Sequence, residues 1–229
     1  LWLKNAPPNE LRELKEVMKR VEKVKESRLA SVASATRNKA LTPTLFAQIS
    51  QPDSSYLAVP EVSSERRKYI HIAFLPAEII ASNKIQLISN SSLYLFGIMT
   101  SEMHMTWMRY TCGRLKSDFS YSNTIVYNNF PFPITRIDAQ KKKVEEAAQA
   151  VLDIRSKYPD STLADLYDPV TMPPDLLKAH VALDKAVDLC YRSQAFANEL
   201  SRIEFLFGLY EQYTAPMFGS QVSKSKKSK

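Results

Sequence analysis

Leu11, Leu14, Met18, Val21 and Val24 recur at steps of three and four residues, with Lys, Arg and Glu filling the positions between them. This is the period of an amphipathic helix. It predicts a connector helix from Asn9 to Ser27, with Asn9 as N-cap after the Pro7-Pro8 breaker. From Ser31 to Pro60 the pattern dissolves into turn signals, of which Gln51-Pro-Asp-Ser-Ser is the clearest. Short runs rich in aromatic and β-branched residues follow: Tyr56 to Val62, Tyr69 to Leu75, Ile85 to Ser89 and Leu93 to Met99. Each is bounded by Pro, Ser, Asn or charge and reads as a strand. Gly97 weighs against a helix in the last run, because glycine inside a helix costs roughly 1 kcal/mol relative to alanine. Helical spacing returns in Ser101 to Cys112, where Met103, Trp107 and Tyr110 share a face, and Gly113 stands where a C′ glycine would end the helix.

Beyond Pro133 the periodicity is wholly helical. Arg136 to Tyr158, Asp175 to Tyr191 and Ser193 to Tyr213 read as three amphipathic helices separated by proline-rich breaks. The expected fold is therefore α+β: a small mixed or antiparallel sheet with helices over 31–133, then an α-helical subdomain over 134–218. Residues 1–30 form the connector, and 219–229 a lysine- and serine-rich tail whose composition predicts disorder.

Composition changes this picture only in places. Apolar residues make up 45% and charged residues 24% of 229 positions, which is ordinary for a globular protein. The net charge is +7, but four lysines of the tail account for four of those charges and leave +3 for the body. A basic footprint must then come from clustering. Two cysteines, Cys112 and Cys190, without Cys/His ligand spacing, predict neither a zinc site nor a disulfide framework and fit a cytoplasmic location. No apolar run approaches a membrane span of ~20 residues. Four scattered glycines exclude a phosphate or dinucleotide loop, and no nucleophile or metal motif replaces it. His71, His104 and His180 lie far apart and read as structural or surface residues. The chain starts at Leu1 and reads as a piece of a longer protein, without catalysis of its own.

Two clusters carry chemistry. Ser63-Ser-Glu-Arg-Arg-Lys68 lies between two predicted strands, as a hairpin tip that is either a solvated turn or a phosphate clamp. Cys112-Gly-Arg-Leu-Lys-Ser-Asp-Phe-Ser-Tyr-Ser-Asn123 interleaves cations, an acid, hydroxyls, amides and aromatics with almost no aliphatic periodicity. Its residues suit a protruding loop that touches DNA or RNA, or a structural loop, and by themselves leave both open. Trp107, Met103 and Met105 fall at helical spacing and are expected in the core. Tyr127 to Pro133 is expected to form a buried strand and exit turn, its asparagines satisfying backbone groups.

Several of these segments are similar to the MmeI-like (type IIL) family of fused restriction and adenine-N6 methyltransferase enzymes. The similarity runs in order through Val59-Pro-Glu-Val-Ser-Ser-Glu-Arg-Arg-Lys-Tyr69, Met103-His-Met-Thr-Trp107, Cys112-Gly-Arg-Leu-Lys-Ser-Asp118, Tyr121-Ser-Asn123 and Tyr127-Asn-Asn-Phe-Pro131. It continues through Leu166-Tyr-Asp-Pro169, Met172-Pro-Pro174, Ala179-His180 and Leu183 to Asp188, covering most of 31–218. The resemblance implies a target recognition domain followed by a helical C-terminal domain. The S-adenosylmethionine cofactor then belongs to a methyltransferase domain of the same chain outside this piece, and no cofactor or metal is expected here. Double-stranded DNA is the implied partner, and a protein-docking role is the alternative. The resemblance further implies that the residues flanking serine in Gly-Arg-Leu-Lys-Ser-Asp, namely Lys116 and Asp118, read bases. Ser120 is a second determinant, working with 82–85. Lysine donates to guanine O6 and N7 while aspartate accepts from cytosine N4, so the pair suits one G·C pair. Arg66, Arg67, Lys68, Arg109, Arg114 and Tyr121 are expected at phosphates.

Overall fold

The structure, a computed structural model, describes residues 2–134 and 137–219, the last four by backbone alone. The chain divides into two compact units, Leu1–Gln51 and Pro52–Lys229.

In the first unit the expected connector is two helices, α1 (Pro8–Glu13) and α2 (Lys15–Leu29), broken at Leu14 where ψ is 70°. Pro8, and not Asn9, opens it: proline's fixed φ suits the first helical turn, where its missing N–H costs nothing. Beyond α2 the chain folds back through α3 (Ser34–Asn38) and a 3-10 turn, Lys39–Leu41. One side chain gathers that return. Arg28 donates to the carbonyls of Lys39, Thr42 and Leu45 at 2.7–2.9 Å, satisfying backbone acceptors that no strand pairs.

Among its described residues the second unit contains two antiparallel three-stranded sheets. β1 (Tyr56–Pro60), fully buried, lies between β3 (Ala73–Leu75) and β4 (Ile85–Ile88). β6 (Asp118–Ser120) lies between β2 (Val62–Ser63) and β5 (Gly113–Leu115). Glu61 joins the sheets: its N–H donates to the Lys84 carbonyl and its carbonyl accepts from Tyr121 N–H. Of the expected strand Tyr69 to Leu75 only the last three residues pair. Tyr69, Ile70 and Ile72 are fully buried in irregular chain, Ile70 N–H meeting the Met105 sulfur.

Leu93–Met99 is not a strand but helix α4, N-capped by Ser92, whose hydroxyl accepts from Leu95 N–H at 3.1 Å. Gly97 is inside it for reasons of space. A Cβ there would stand 2.6 Å from Val144 Cγ1 and about as close as contact allows to Leu183 and Ala148. Those residues belong to α6 (Asp138–Arg155) and α8 (Pro174–Tyr191), so tertiary packing overrides the local propensity. Helix α5 (Glu102–Thr111) follows, with Met103, Met105 and Trp107 buried as expected. The expected stretch Tyr127 to Pro133 is instead the exit from a single π turn, Asn123–Tyr127. Asn129 does satisfy backbone, donating to the Thr124 and Ile125 carbonyls.

The C-terminal helices are α6, α7 (Leu163–Leu166), α8 and α9 (Glu199–Gly219). The expected start of α6 at Arg136 and residues 220–229 of the expected 219–229 tail lie outside the described residues, while Gly219 ends α9. These helices enclose α4 and α5 in one hydrophobic core. Buried polar groups cross it. Asp184 accepts from Tyr69 Oη at 2.6 Å and Glu102 N–H at 2.7 Å, and His180 stacks on Tyr69 and meets Tyr167 Oη at 2.6 Å. Arg155 donates to Tyr167 Oη and to the Ile72 carbonyl. Among the described residues no helix is long and apolar enough to cross a membrane, and no cluster of three or more His, Cys, Asp or Glu could hold a metal.

Candidate nucleic-acid interface

Chain direction reverses between β5 and β6 in two residues, Lys116 and Ser117, since Leu115 pairs with Asp118. The expected protruding loop is therefore a tight hairpin. Such turns need positive φ to match strand twist, and here Lys116 supplies it with φ 57°. Glycine would take this conformation freely, whereas an L-residue is strained by roughly 1–2 kcal/mol. Such a strained, exposed tip is a candidate for a role beyond folding. Gly113, by contrast, has no positive φ and does not cap α5; Cys112 leaves the helix in extended conformation and Gly113 begins β5.

Strand alternation sorts the hairpin side chains. Phe119 turns inward and is 3% exposed. Arg114, its cross-strand neighbour, lies over the Phe119 ring at 4.3 Å and donates to the Ser117 carbonyl at 3.0 Å, bracing the turn from beneath. Asp118 and Ser120 share the other face, with Leu115 opposite Asp118, and with Val62 and Gly113 on the two sides of Ser120. A Cβ on Gly113 would come within 3.8 Å of Ser120 Cβ, so glycine here leaves Ser120 uncovered. Asp118 Oδ1 accepts from Glu65 N–H at 3.3 Å, which orients the carboxylate while leaving Oδ2 available. Asp118 and Ser120 thus share one face of the hairpin, and Lys116 stands exposed at its tip.

The 82–85 stretch meets the hairpin's sheet through Glu61, whose N–H donates to the Lys84 carbonyl. Lys84 and Gln86 hold the Glu61 carboxylate at 3.2 Å each, and Val62, the next residue, pairs with Ser120. Glu61 was invisible in the sequence pattern, being one acid inside the strand-like run Tyr56 to Val62; only the junction of two sheets gives it a place beside the hairpin. A cleft of about 240 Å³ lies beyond β6, lined in part by Gln86, Tyr121, Asn123 and Asn128.

The expected phosphate contacts divide. Arg66, Lys68 and Arg114 are exposed. The 63–68 segment is not a simple hairpin tip, because Val62–Ser63 joins one sheet and Ala73–Leu75 the other. Arg67 is half-buried and donates to the Ala164 carbonyl. Arg109 is withdrawn from any phosphate: its guanidinium pairs with Glu102 at 2.8 Å and Glu199 at 3.2 Å and donates to the Lys68 carbonyl. These carboxylates raise its pKa further against the opposing effect of burial. Tyr121 is likewise withdrawn from phosphates. It is 5% exposed, its hydroxyl meets His104 Nε2 at 3.2 Å, and burial pushes the phenol well above its ordinary range.

Residues 1–134 match the family model described as MmeI, target recognition domain, and residues 136–218 the one described as MmeI, C-terminal domain. A curated relative, DNA methyltransferase A of Bacillus subtilis (strain 168), is 39% identical over 216 residues, 93% of this chain and 24% of the relative. A solved structure of the type IIL restriction-modification enzyme MmeI in complex with DNA superposes with a TM-score of 0.83 at 47% identity. That match covers 94% of this chain and 29% of the solved one. The chain thus spans about a quarter of the length of these relatives. It belongs to the MmeI family, as a target recognition domain followed by a C-terminal domain.

Proposed function

We propose that this chain reads a DNA sequence in the major groove on behalf of an adenine-N6 methyltransferase, with Lys116, Asp118 and Ser120 as base-reading residues. The observation that carries the reading is the outward face of the β5–β6 hairpin. Lysine is kept at a glycine-type conformation on its tip, and an acid and a hydroxyl follow at alternate strand positions. Lys116 donates to guanine O6 and N7, and Asp118 accepts from N4 of the paired cytosine, so one G·C pair is met by matched donor and acceptor. Ser120 can donate or accept and names no base. Arg66, Lys68 and Arg114 neutralise phosphates and fix the register without reading sequence.

Methyl transfer belongs to a methyltransferase domain elsewhere in the full-length protein, which binds S-adenosylmethionine and acts in the cytoplasm. These 229 residues hold the duplex so that one adenine can leave the stack. Each base contact contributes ~1–3 kcal/mol of discrimination.

The test is a charge exchange, Lys116→Glu with Asp118→Arg, in the full-length protein, followed by mapping of the methylated motif. Preference should invert from G·C to C·G at one fixed offset from the modified adenine; an unchanged base would overturn the assignment. Duplex affinity should also fall steeply with salt, and a flat response would favour a protein-docking role.

A further inference from the structure

Two apolar side chains share the polar face of the hairpin. Leu115 is 58% and Val62 40% exposed. Single exposed apolar residues are ordinary. This pair is distinguished by its register, since Leu115 stands directly opposite Asp118 and Val62 directly opposite Ser120. Directly opposed residues hold their Cβ atoms about 4.5–5.5 Å apart. An apolar group therefore flanks each of these two base-reading positions. On the far side of Ser120, Gly113 presents no side chain at all.

The major groove offers one apolar projection, the methyl group at pyrimidine C5. Cytosine C5 adjoins C4, the carbon that bears the N4 amino group accepted by Asp118. A leucine whose Cβ stands about 5 Å from that of Asp118 lies within reach of C5 on the same base or on its neighbour. We infer that Leu115, with Val62 beside it, is a further specificity determinant that reads a pyrimidine C5-methyl group at or next to the G·C pair. The inference rests on the DNA-reading proposal above and adds to it a contact of different chemistry. Thymine and 5-methylcytosine both carry the group.

The experiment uses the full-length protein and duplexes of its mapped motif. In one series each thymine is replaced singly by uracil, and in the other each cytosine by 5-methylcytosine. For the wild type, at a position in or beside the G·C pair, the methyl-bearing duplex should be methylated with about fourfold higher kcat/KM than its methyl-free counterpart, the effect of burying one methyl group. The series in which this occurs identifies the pyrimidine. The ratio should fall to about one in Leu115→Ala or in Val62→Ala, and persist in Leu115→Met, which keeps an apolar side chain of similar volume. Absence of any such ratio in the wild type, or its persistence in both alanine variants, would overturn the inference. The charge exchange separates the two levels. If it moves the recognised base while no methyl ratio exists, only the Leu115 and Val62 assignment falls; if the base stays unchanged, the DNA reading itself falls.

Discussion

Gly97 and Lys116 are mirror cases of one residue choice. At Gly97 the backbone is ordinary helix and the neighbours leave no room: a Cβ would meet Val144 Cγ1 at 2.6 Å. Gly97→Ala should therefore destabilise the fold by about 1–3 kcal/mol through overpacking, although alanine favours helix by roughly 1 kcal/mol. Denaturant titration measures the loss, and Val144→Ala in the same chain should restore part of it. If Gly97→Ala were neutral or stabilising, the close approach of α4 to α6 would be wrong. At Lys116 space is open and the backbone is strained, with φ 57°. Lys116→Gly should raise stability by about 1 kcal/mol while weakening discrimination at the recognised G·C pair. A variant that gained stability and kept full discrimination would remove Lys116 from the base-reading set.

Among elements, α5 shows how one helix can mislead and still be well placed in sequence. Its apolar face was legible from Met103 and Trp107, because spacing reports which side is buried, whereas Tyr110, expected on the same face, is 56% exposed. The partner of Arg109 was not, since Glu199 lies ninety residues on, at the start of α9. Arg109→Leu should lower the unfolding midpoint, because Glu102 loses its pair in a nearly buried setting. It should leave the salt dependence of DNA binding unchanged. By contrast, Arg66→Ala with Lys68→Ala should reduce the slope of log affinity against log salt by about 2, roughly 0.9 per phosphate contact. Equal slopes for that double variant and the wild type would exclude both residues from phosphates. The π turn after β6 was likewise unreadable: local pattern does not register a hydrogen bond from Asn128 N–H back to the Asn123 carbonyl.

Over the whole second unit, buried titratable groups set a response to pH. Burial is the first cause that holds His71 at about 4 and His104 and His180 at about 3, all below the ordinary 6.5. Each takes up a proton on unfolding below pH 6.5, so stability present above that value is lost as pH falls toward 4. Asp184 acts in the opposite sense. Burial first, then Glu102 and Asp188, raise it from 3.8 to about 6 against the hydrogen bonds from Tyr69 and Glu102 N–H. Its ionisation costs stability as pH rises through 4 to 6. Three groups oppose one, so stability should fall on acidification from 6.5 to 4, with about 1.4 kcal/mol per pH unit for each net proton. Asp184→Asn removes the compensating group, and its stability should fall more steeply with acid than that of the wild type. Parallel curves from denaturant titrations at several pH values would refute the raised Asp184 pKa.

By itself the sequence determined the fold class, the helical C-terminal domain, most of the buried face of α5 and the segment that carries the candidate chemistry. Period and composition are local properties, and they survive whatever the chain packs against. Tertiary structure alone decided that Leu93–Met99 is a helix, since its glycine answers to Val144, Ala148 and Leu183 and not to its own neighbours. It also decided which polar residues are spent inside the fold. Tyr121 and Arg109 have the right chemistry for DNA but are held by His104, Glu102 and Glu199. Strand register brought Leu115 beside Asp118, and Val62 beside Ser120, on one face. Pairing between strands sets that neighbourhood, and for Val62 the partner lies more than fifty residues away, beyond any pattern read along the chain.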